Sequence, residues 1–428
     1  MNKKNMMMVS AAAAVLLTAG MASPALAATS DAAQQAEIDA LKQQIQILND
    51  RLNAQEARQA AVEAQASQAT ATAEAAQVKA AQVDTIPAQV KTAVADNTPK
   101  PTKSWADDTK ISGRMYYNIS HIEQESNGNK VAPTGTGFDI KRFYVGIDHK
   151  FNDAYSANIT TDMNYVSNDG ETQVYLKKAY LQAKFSDALT LRLGSADLPW
   201  VPFAEDAYGY RFIENEVVDR VKFGTSADWG VHASGKVGMV SYAAAVINGN
   251  GYKNPTRSGS VDFEGRVSTN IQNVILGAGI YSGKLGKAVE GVTTYHTATR
   301  WNALAAYKTD TFRIGAEYFI ADNWTRVTST TGDKADGWSV FGSYNFMPNM
   351  SAFARYDSVN PSKDINSALD DQYYNIGVSW TPVKIVDFAL VYKHDAVDGG
   401  TLGTSNGTIG GSTDGTYDEI GLFGQLRW

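Results

Sequence analysis

Cysteine is absent from all 428 residues, so a secreted form of this chain would have neither disulfides nor thiolate metal sites. Its stability must come from packing or from backbone pairing. Histidine is nearly as scarce. The five residues His121, His149, His232, His296 and His394 are scattered along the chain, and no metal centre is expected from them. Beyond the N-terminus no apolar run approaches the roughly 20 residues of a membrane-spanning helix, so nothing helical is expected to cross a bilayer. Basic charge is also lacking: the formal charge is −7, which argues against a nucleic-acid partner. Finally, Gly, Tyr, Phe and Trp are almost absent between Ala28 and Ser104 but plentiful after Trp105. Two architectures share one chain.

What is present begins with Lys3 and Lys4, an apolar run from about Met6 to Gly20, and Ala25-Leu26-Ala27 as a small-residue cleavage site. Residues 1–27 thus read as a secretory signal peptide, with the mature chain starting at Ala28. Its removal takes two lysines and no acid, so −7 becomes −9. From residue 28 to 83 the chain reads as a periplasmic coiled coil. Ile38, Ile45 and Leu52 take position a and Leu41 and Leu48 position d of a heptad seam that only associated helices can bury. Gln55 and Gln59 interrupt the seam, and the Ala-rich second half (Val62 to Val83) buries little area, so that half is expected to be weak. The alternative is a disordered Ala/Gln-rich tether. Pro87, Pro99 and Pro101 mark residues 84–106 as an extended linker.

Residues 107–428 carry repeated segments of about ten residues with period-two alternation, separated by Gly, Asn, Asp, Ser and Pro clusters. Clear examples start at Ile111, Lys141, Tyr155, Val174, Leu189, Val240, Val261, Trp301, Thr311, Tyr374 and Val386. Weaker ones lie near 229–237, 273–281, 337–346 and 350–357. The terminal YDEIGLFGQLRW sets Ile420, Leu422, Leu426 and Trp428 on one face and Glu419, Gln425 and Arg427 on the other. The sum predicts an all-β transmembrane barrel of about 16 antiparallel strands, preceded by the α-helical coiled coil. Short turns such as Phe151-Asn152-Asp153 alternate with longer polar segments at Asn127–Gly137, Asn323–Asp336 and Val397–Thr416, which are expected to be outer loops.

Alternation also assigns faces. With apolar neighbours toward lipid, Arg114, Arg142, Lys178, Lys184, Arg192, Arg300, Arg313 and Arg355 become pore-lining candidates. Asp162, Asp262, Glu264, Glu317, Asp357 and Glu419 fall on the same side, because a charge facing lipid at midplane costs about 2–4 kcal/mol. Each of these charges could equally be one half of a structural ion pair across the wall. The stretch Asp197–Arg220 breaks the strand pattern, with Pro199, Pro202, several aromatics and at least five acids. It is expected to fold into the lumen as a constriction, with Trp200, Glu205, Asp206, Tyr210, Arg211 and Arg220 as its candidate residues; the alternative is an outer loop packed on a neighbouring subunit. Catalysis finds little footing: His232 and Ser234 share a face with Lys236 and so point into the lumen, the wrong side for a lipid substrate. No catalytic residue, cofactor or metal is expected, and Asp398, Asp414 and Asp418 match no calcium-loop spacing.

With a signal peptide, a short coiled coil, a Pro linker and a barrel carrying LRLGSADLPWVPFAED and ending in LFGQLRW, the chain resembles the phosphate-selective porin O/P family over roughly residues 105–428. The Gly-x-x-x-x-Pro-x-x-Pro-Phe segment within Leu191–Phe203 carries most of the likeness. That resemblance implies a trimer of 16-stranded barrels in which a third loop narrows each pore. Its phosphate-selecting members use an inward arginine ladder and a lysine cluster, but no motif here fixes the register for such roles. The expected function is an outer-membrane porin for passive diffusion of small hydrophilic solutes or ions, anions such as phosphate among them. The alternative is a structural envelope tether with the barrel as anchor. Expected partners are outer-membrane lipid, further copies in a homotrimer and the barrel-assembly machinery, which would read Ile420, Leu422, Leu426 and Trp428. Peptidoglycan is a candidate contact of the coiled coil.

Overall fold

A computed structural model describes residues 31–83, 104–166 and 171–428; the signal peptide and most of the linker lie outside the described residues. The chain divides into two units. In the first, helix α1 runs from Asp31 to Val83. Gln-to-Asp contacts one turn apart, Gln35 to Asp39 and Gln46 to Asp50, both at 3.3 Å, line its polar surface. Ile38, Ile45, Leu48 and Leu52 of the heptad seam stand exposed in this single chain. A stripe of that kind needs a partner helix to bury it.

In the second unit Ser104 caps a short turn, Trp105–Asp108, that delivers the chain to the first strand. Strands β1 (Thr109–Ser126) through β15 (Val386–Asp398), together with β18 (Asp414–Arg427), form one closed antiparallel barrel of 16 strands. The short β16 (Thr401–Thr404) and β17 (Gly407–Gly410) make a separate hairpin inside the last long loop. Neighbours in sequence are neighbours in the wall, and β1 pairs with β18 to close it. Closure leaves the wall without an edge strand to expose bare N–H and C=O groups to hydrocarbon. The expected loop at Asn127–Gly137 is instead mostly strand: β2 begins at Asn129, after Asn127 and Gly128 at φ 49° and 73°. An Asn-Gly pair with both residues left-handed makes the tightest hairpin turn, so β1 and β2 run on past the point where polar composition suggested a loop.

The alternation sorts the side chains. Leu193, Leu390 and Ile376 face outward with 64%, 62% and 56% of their surface exposed, a price in water that only a lipid surround removes. Aromatic pairs mark both margins of this apolar belt. Tyr307 with Phe312 (5.5 Å between ring centres) and Trp380 with Phe388 (5.9 Å) lie toward the end that holds Thr109 and Trp428, and Trp338 with Tyr356 (5.4 Å) toward the other. The connections 187–188, 238–239, 272–273, 348–349 and 384–385 lie at the first end, hereafter the near end, and the long segments 198–226, 248–261, 284–297 and 399–413 at the far end.

The seam between β1 and β18 depends on one glycine. Gly113 and Trp428 exchange both backbone hydrogen bonds, at 3.0 and 3.1 Å. The Trp428 indole lies across Gly113, where any Cβ would occupy the ring, and it meets Phe143 with ring centres 5.9 Å apart. Gly113→Val is therefore expected to cost about 1–3 kcal/mol by overpacking, and Trp428→Asp to remove an apolar anchor from the same joint. Both should reduce the heat-resistant folded band in electrophoresis while secretion continues; normal amounts of folded barrel in both variants would contradict this account of the seam.

Candidate functional site

The segment between β5 (Leu189–Asp197) and β6 (Ala227–Val237) folds into the barrel. Pro202 sits in the first turn of helix α2 (Val201–Tyr208), where a missing N–H costs nothing. Gly209 ends the helix at φ 82°, and Arg313 from β11 (Phe312–Asp322) donates to the Tyr208 carbonyl at 2.6 Å. A cation on the last carbonyls suits the negative end of the helix. A second helical turn, α3 (Val217–Arg220), is capped by the Glu216 carboxylate, which accepts from Val218 and Asp219 at 2.7 and 2.8 Å.

Polar anchors fix this loop to one side of the wall. Arg220 is fully buried between aspartates from three successive strands: Asp357 at 2.8 Å, Asp371 at 2.6 Å and Asp395 at 3.2 Å, with Tyr373 under its guanidinium at 4.5 Å. Arg355 meets Asp357 at 2.6 Å and the Asn215 carbonyl. Glu214 and Glu419 share Lys393 at 3.3 and 3.0 Å. Burial raises the Glu214 carboxyl, but Lys393 and Lys141 outweigh it and hold the group well below the usual range. At the other end of the loop Trp200 donates its indole N–H to Glu317 at 2.6 Å and its backbone N–H to Glu264 at 2.9 Å. Apolar packing completes the attachment, with Val217, Val218 and Phe223 against Leu304, Phe319 and Phe341. The β16–β17 hairpin lies on the same cluster through Leu402 and Ile409, and Ser405 donates to the Arg220 carbonyl at 2.8 Å.

Pressed to that side, the loop leaves two larger water-accessible spaces toward the wall from β1 to β8 (Asp262–Ile271) and a smaller one, of about 380 Å³, at the near end between Tyr210 and the wall that carries Lys308, Arg313 and Asp387. A cavity of about 510 Å³ and another of about 710 Å³ both touch Arg211 and Ser226, and Pro202, Glu205 and Asp206 line the second. Around Arg211 stand Arg142, with Asp162 at 3.8 Å, and Lys178, with Asp197 at 3.1 Å. Arg211 itself is held by Glu205 and by Asp219 at 3.9 Å. Burial raises the Asp219 carboxyl, with Arg211 acting against it. Of the further cations that lie here without a carboxylate in ion-pair range among the described residues, three rest against tyrosines. Arg114 meets the Tyr116 hydroxyl at 3.2 Å. Lys177 lies over Tyr144 at 4.7 Å, and Lys253 over Tyr175 at 4.8 Å.

The candidate residues thus separate into two groups. Arg114, Arg142, Lys178, Glu205, Asp206, Arg211 and Arg313 touch the two cavities, and Arg192 faces inward onto Gln182 at 2.8 Å. Trp200, Arg220 and Arg355 are instead buried anchors, because carboxylates on the wall claim them more strongly than water does. Arg300 also lines the first cavity, tied to Glu264 at 3.4 Å and to the Phe223 carbonyl at 2.5 Å. Tyr210 stacks on Phe353 at 4.3 Å, and Lys184 stands at a near-end turn, 2.8 Å from Asp187. His232 is buried, its Nε2 against the Asp228 carbonyl at 3.2 Å and its Nδ1 without a partner. Lys177 and Lys253 are absent from the sequence-derived set. A bulge between Thr160 and Thr161 slips the pairing of β3 (Tyr155–Val166) with β4 (Glu171–Ser186) and brings Lys177 inward beside Lys178; Lys253 sits in a loop, where no alternation assigns a face.

Solved structures share this architecture. Its fold is that of the porins. The anion-selective porin of Comamonas acidovorans matches at TM-score 0.56 and 12% identity, over 75% of this chain and 99% of that one. OmpT of Vibrio cholerae, in vitro folded and in its trimer form, matches at 0.52 and 13%, over 75% and 99%. Salmonella typhi OmpF in complex with daunomycin matches at 0.50 and 10%, over 75% and 97%. No family model and no curated protein matches, so the likeness to the phosphate-selective porin O/P family stands on the quoted residues alone.

Arg220→Gln would leave three buried aspartates facing Arg355 alone, and breaking a buried pair typically costs about 3–5 kcal/mol. The variant is expected to unfold at lower denaturant and to show frequent closures in single-channel recordings as the loop leaves the wall. Quiet channels of unchanged conductance would mean that the loop is held without this cage.

Proposed function

We propose that this chain forms an outer-membrane diffusion channel for small hydrophilic solutes and that its narrow part favours anions. The reading rests on the charge left over beside Arg211. Beside Arg211, Asp162, Asp197, Glu205 and Asp219 are each paired with an arginine or lysine. Asp148 and Asp206 in the second cavity and Asp228 in the first have no such partner among the described residues, but Arg114, Lys177 and Lys253, which have only tyrosines, are joined in the lining by Lys222, Lys287 and Arg313, so cations remain in excess. An ammonium against an aromatic face keeps its charge uncompensated in a confined space, and such a site attracts anions. The anion selectivity named for the Comamonas acidovorans porin agrees with this. The trimer form of OmpT supports a homotrimer as the working unit. In that arrangement the near end faces the periplasm, and the exposed seams of three α1 helices bury one another.

Lys253 gives the reading a pH signature. Burial, followed by the nearby Arg142, pushes its ammonium down to about 8. The charge is present below that value and lost above it, so anion preference should fall between pH 7 and pH 9. Reversal potentials in planar bilayers under a potassium chloride gradient measure this directly. The wild type is expected to prefer chloride at pH 7 and less so at pH 9, with Lys253→Gln weaker and flat across the interval. A cation preference at pH 7, or a silent barrel, would refute the proposal.

A further inference from the structure

On the side of α2 away from Pro202 and Glu205, a smaller recess of about 200 Å³ opens between that helix and the wall from β6 to β9 (Val274–Gly283), sharing Asp206 with the passage. Arg266 on β8 (Asp262–Ile271) points into it. Its guanidinium lies 4.3 Å above the Phe203 ring, and its Nε is buried without a hydrogen-bond partner. Among the described residues no carboxylate comes within ion-pair range of it. Other inward arginines each hold an oxygen: Arg142 has Asp162, Arg300 has Glu264, Arg313 has the Tyr208 carbonyl and Arg355 has Asp357. The acid nearest on the same strand face, Glu264, is already taken by Arg300 and by the Trp200 backbone. The terminal amino groups of Arg266 hold no oxygen among the described residues either, and they are the donors that an acceptor entering the recess would meet.

The surroundings specify what that is. Lys236 from β6 and Ser268 from β8 line the same recess, so a second cation and a hydroxyl converge on the space beside the guanidinium. Phe203 covers one face of Arg266 and protein closes over its Nε, so the edge left for an in-plane acceptor is that of the terminal Nη1 and Nη2 groups. A flat fork of N–H donors with one face stacked is suited to side-on contact with two oxygens of one anion. Asp206, exposed on α2, is the single acid in the lining and would repel such a ligand.

We propose that this recess is a binding site for one small oxyanion, of the sulfate or carboxylate type, held by Arg266 and Lys236, neither of which lines the two larger cavities. The anion supplies the acceptor that Arg266 lacks, and through Phe203 it braces α2 against β8. The site does not depend on the channel's ion preference, since none of the cations beside Arg211 takes part in it.

The test uses the full chain in detergent, titrated with sodium sulfate and separately with sodium acetate at constant ionic strength and followed by calorimetry. One saturable site per chain is expected. Sulfate alone binding would assign a tetrahedral anion, and acetate alone a carboxylate. Arg266→Gln should weaken the site by about tenfold or more, the equivalent of one charge-assisted hydrogen bond. Lys236→Gln should weaken it less, and Asp206→Asn should tighten it, a gain that no folding defect can imitate. If Arg266→Gln does not fold, as judged by heat-modifiable mobility, the opposite responses of the Lys236 and Asp206 variants decide the matter. Absence of saturable binding by either anion, or equal binding in wild type and the Lys236 and Asp206 variants, would leave water as the occupant and overturn the proposal. Reversal potentials recorded on the same preparations keep this result apart from the anion preference of the passage.

Discussion

Every other feature of this barrel depends on the rule that a backbone crossing hydrocarbon must pair all of its own N–H and C=O groups. The wall meets that rule by continuing each strand's pairing to its neighbour until β18 returns to β1. The joint is where the rule is hardest to satisfy, since the two strands are separated by almost the whole unit. Here the backbone bonds between Gly113 and Trp428 and the indole laid over the glycine align it. Closure also creates the inside surface. Once the wall is a cylinder, alternate residues of every strand share one enclosed volume, and charges that could not face lipid are forced together there.

That crowding is resolved unevenly, and function follows from the unevenness. On the wall from β11 to β15 and β18, inward charges meet the inserted loop: Asp357, Asp371 and Asp395 take its Arg220, and Lys393, already beside Glu419 of β18, takes its Glu214. Buried ion pairs contribute little net stability compared with apolar packing, but removing one partner is expensive. Their effect is therefore to specify one seat for the loop. Toward the opposite wall the same loop presents Glu205, Asp206, Arg211, Asp219 and Lys222, and wall cations are left over against tyrosines. The anchored side is the more filled, with a near-end cavity of about 380 Å³ left beside Tyr210, and the larger water-accessible spaces lie on the other.

The wall was legible in the residues because its code is local. Strand alternation repeats every two residues, so KRFYVGIDHK by itself assigns Phe143 outward and Arg142 inward, and summing such segments predicts the 16 strands found. Local reading failed where the period slips or stops. Lys177 lies beside a bulge, and Lys253 lies in a loop. Asn127–Gly137 was taken for a loop from its polarity, although the Asn-Gly pair at its start is a hairpin signal strong enough to keep β1 and β2 paired beyond it.

By itself, then, the sequence determined the barrel, its strand number and the face each strand turns to lipid, because these follow from neighbours one or two residues apart. It also marked Asp197–Arg220 as something other than strand. Only the tertiary structure decided which charges in the lumen are spent on holding the loop and which remain beside the water. Arg220 and its partners Asp357 and Asp395 stand 137 and 175 positions apart. Whether an arginine is an anchor or lines a path is set by what the closed wall brings against it, and no local pattern records that.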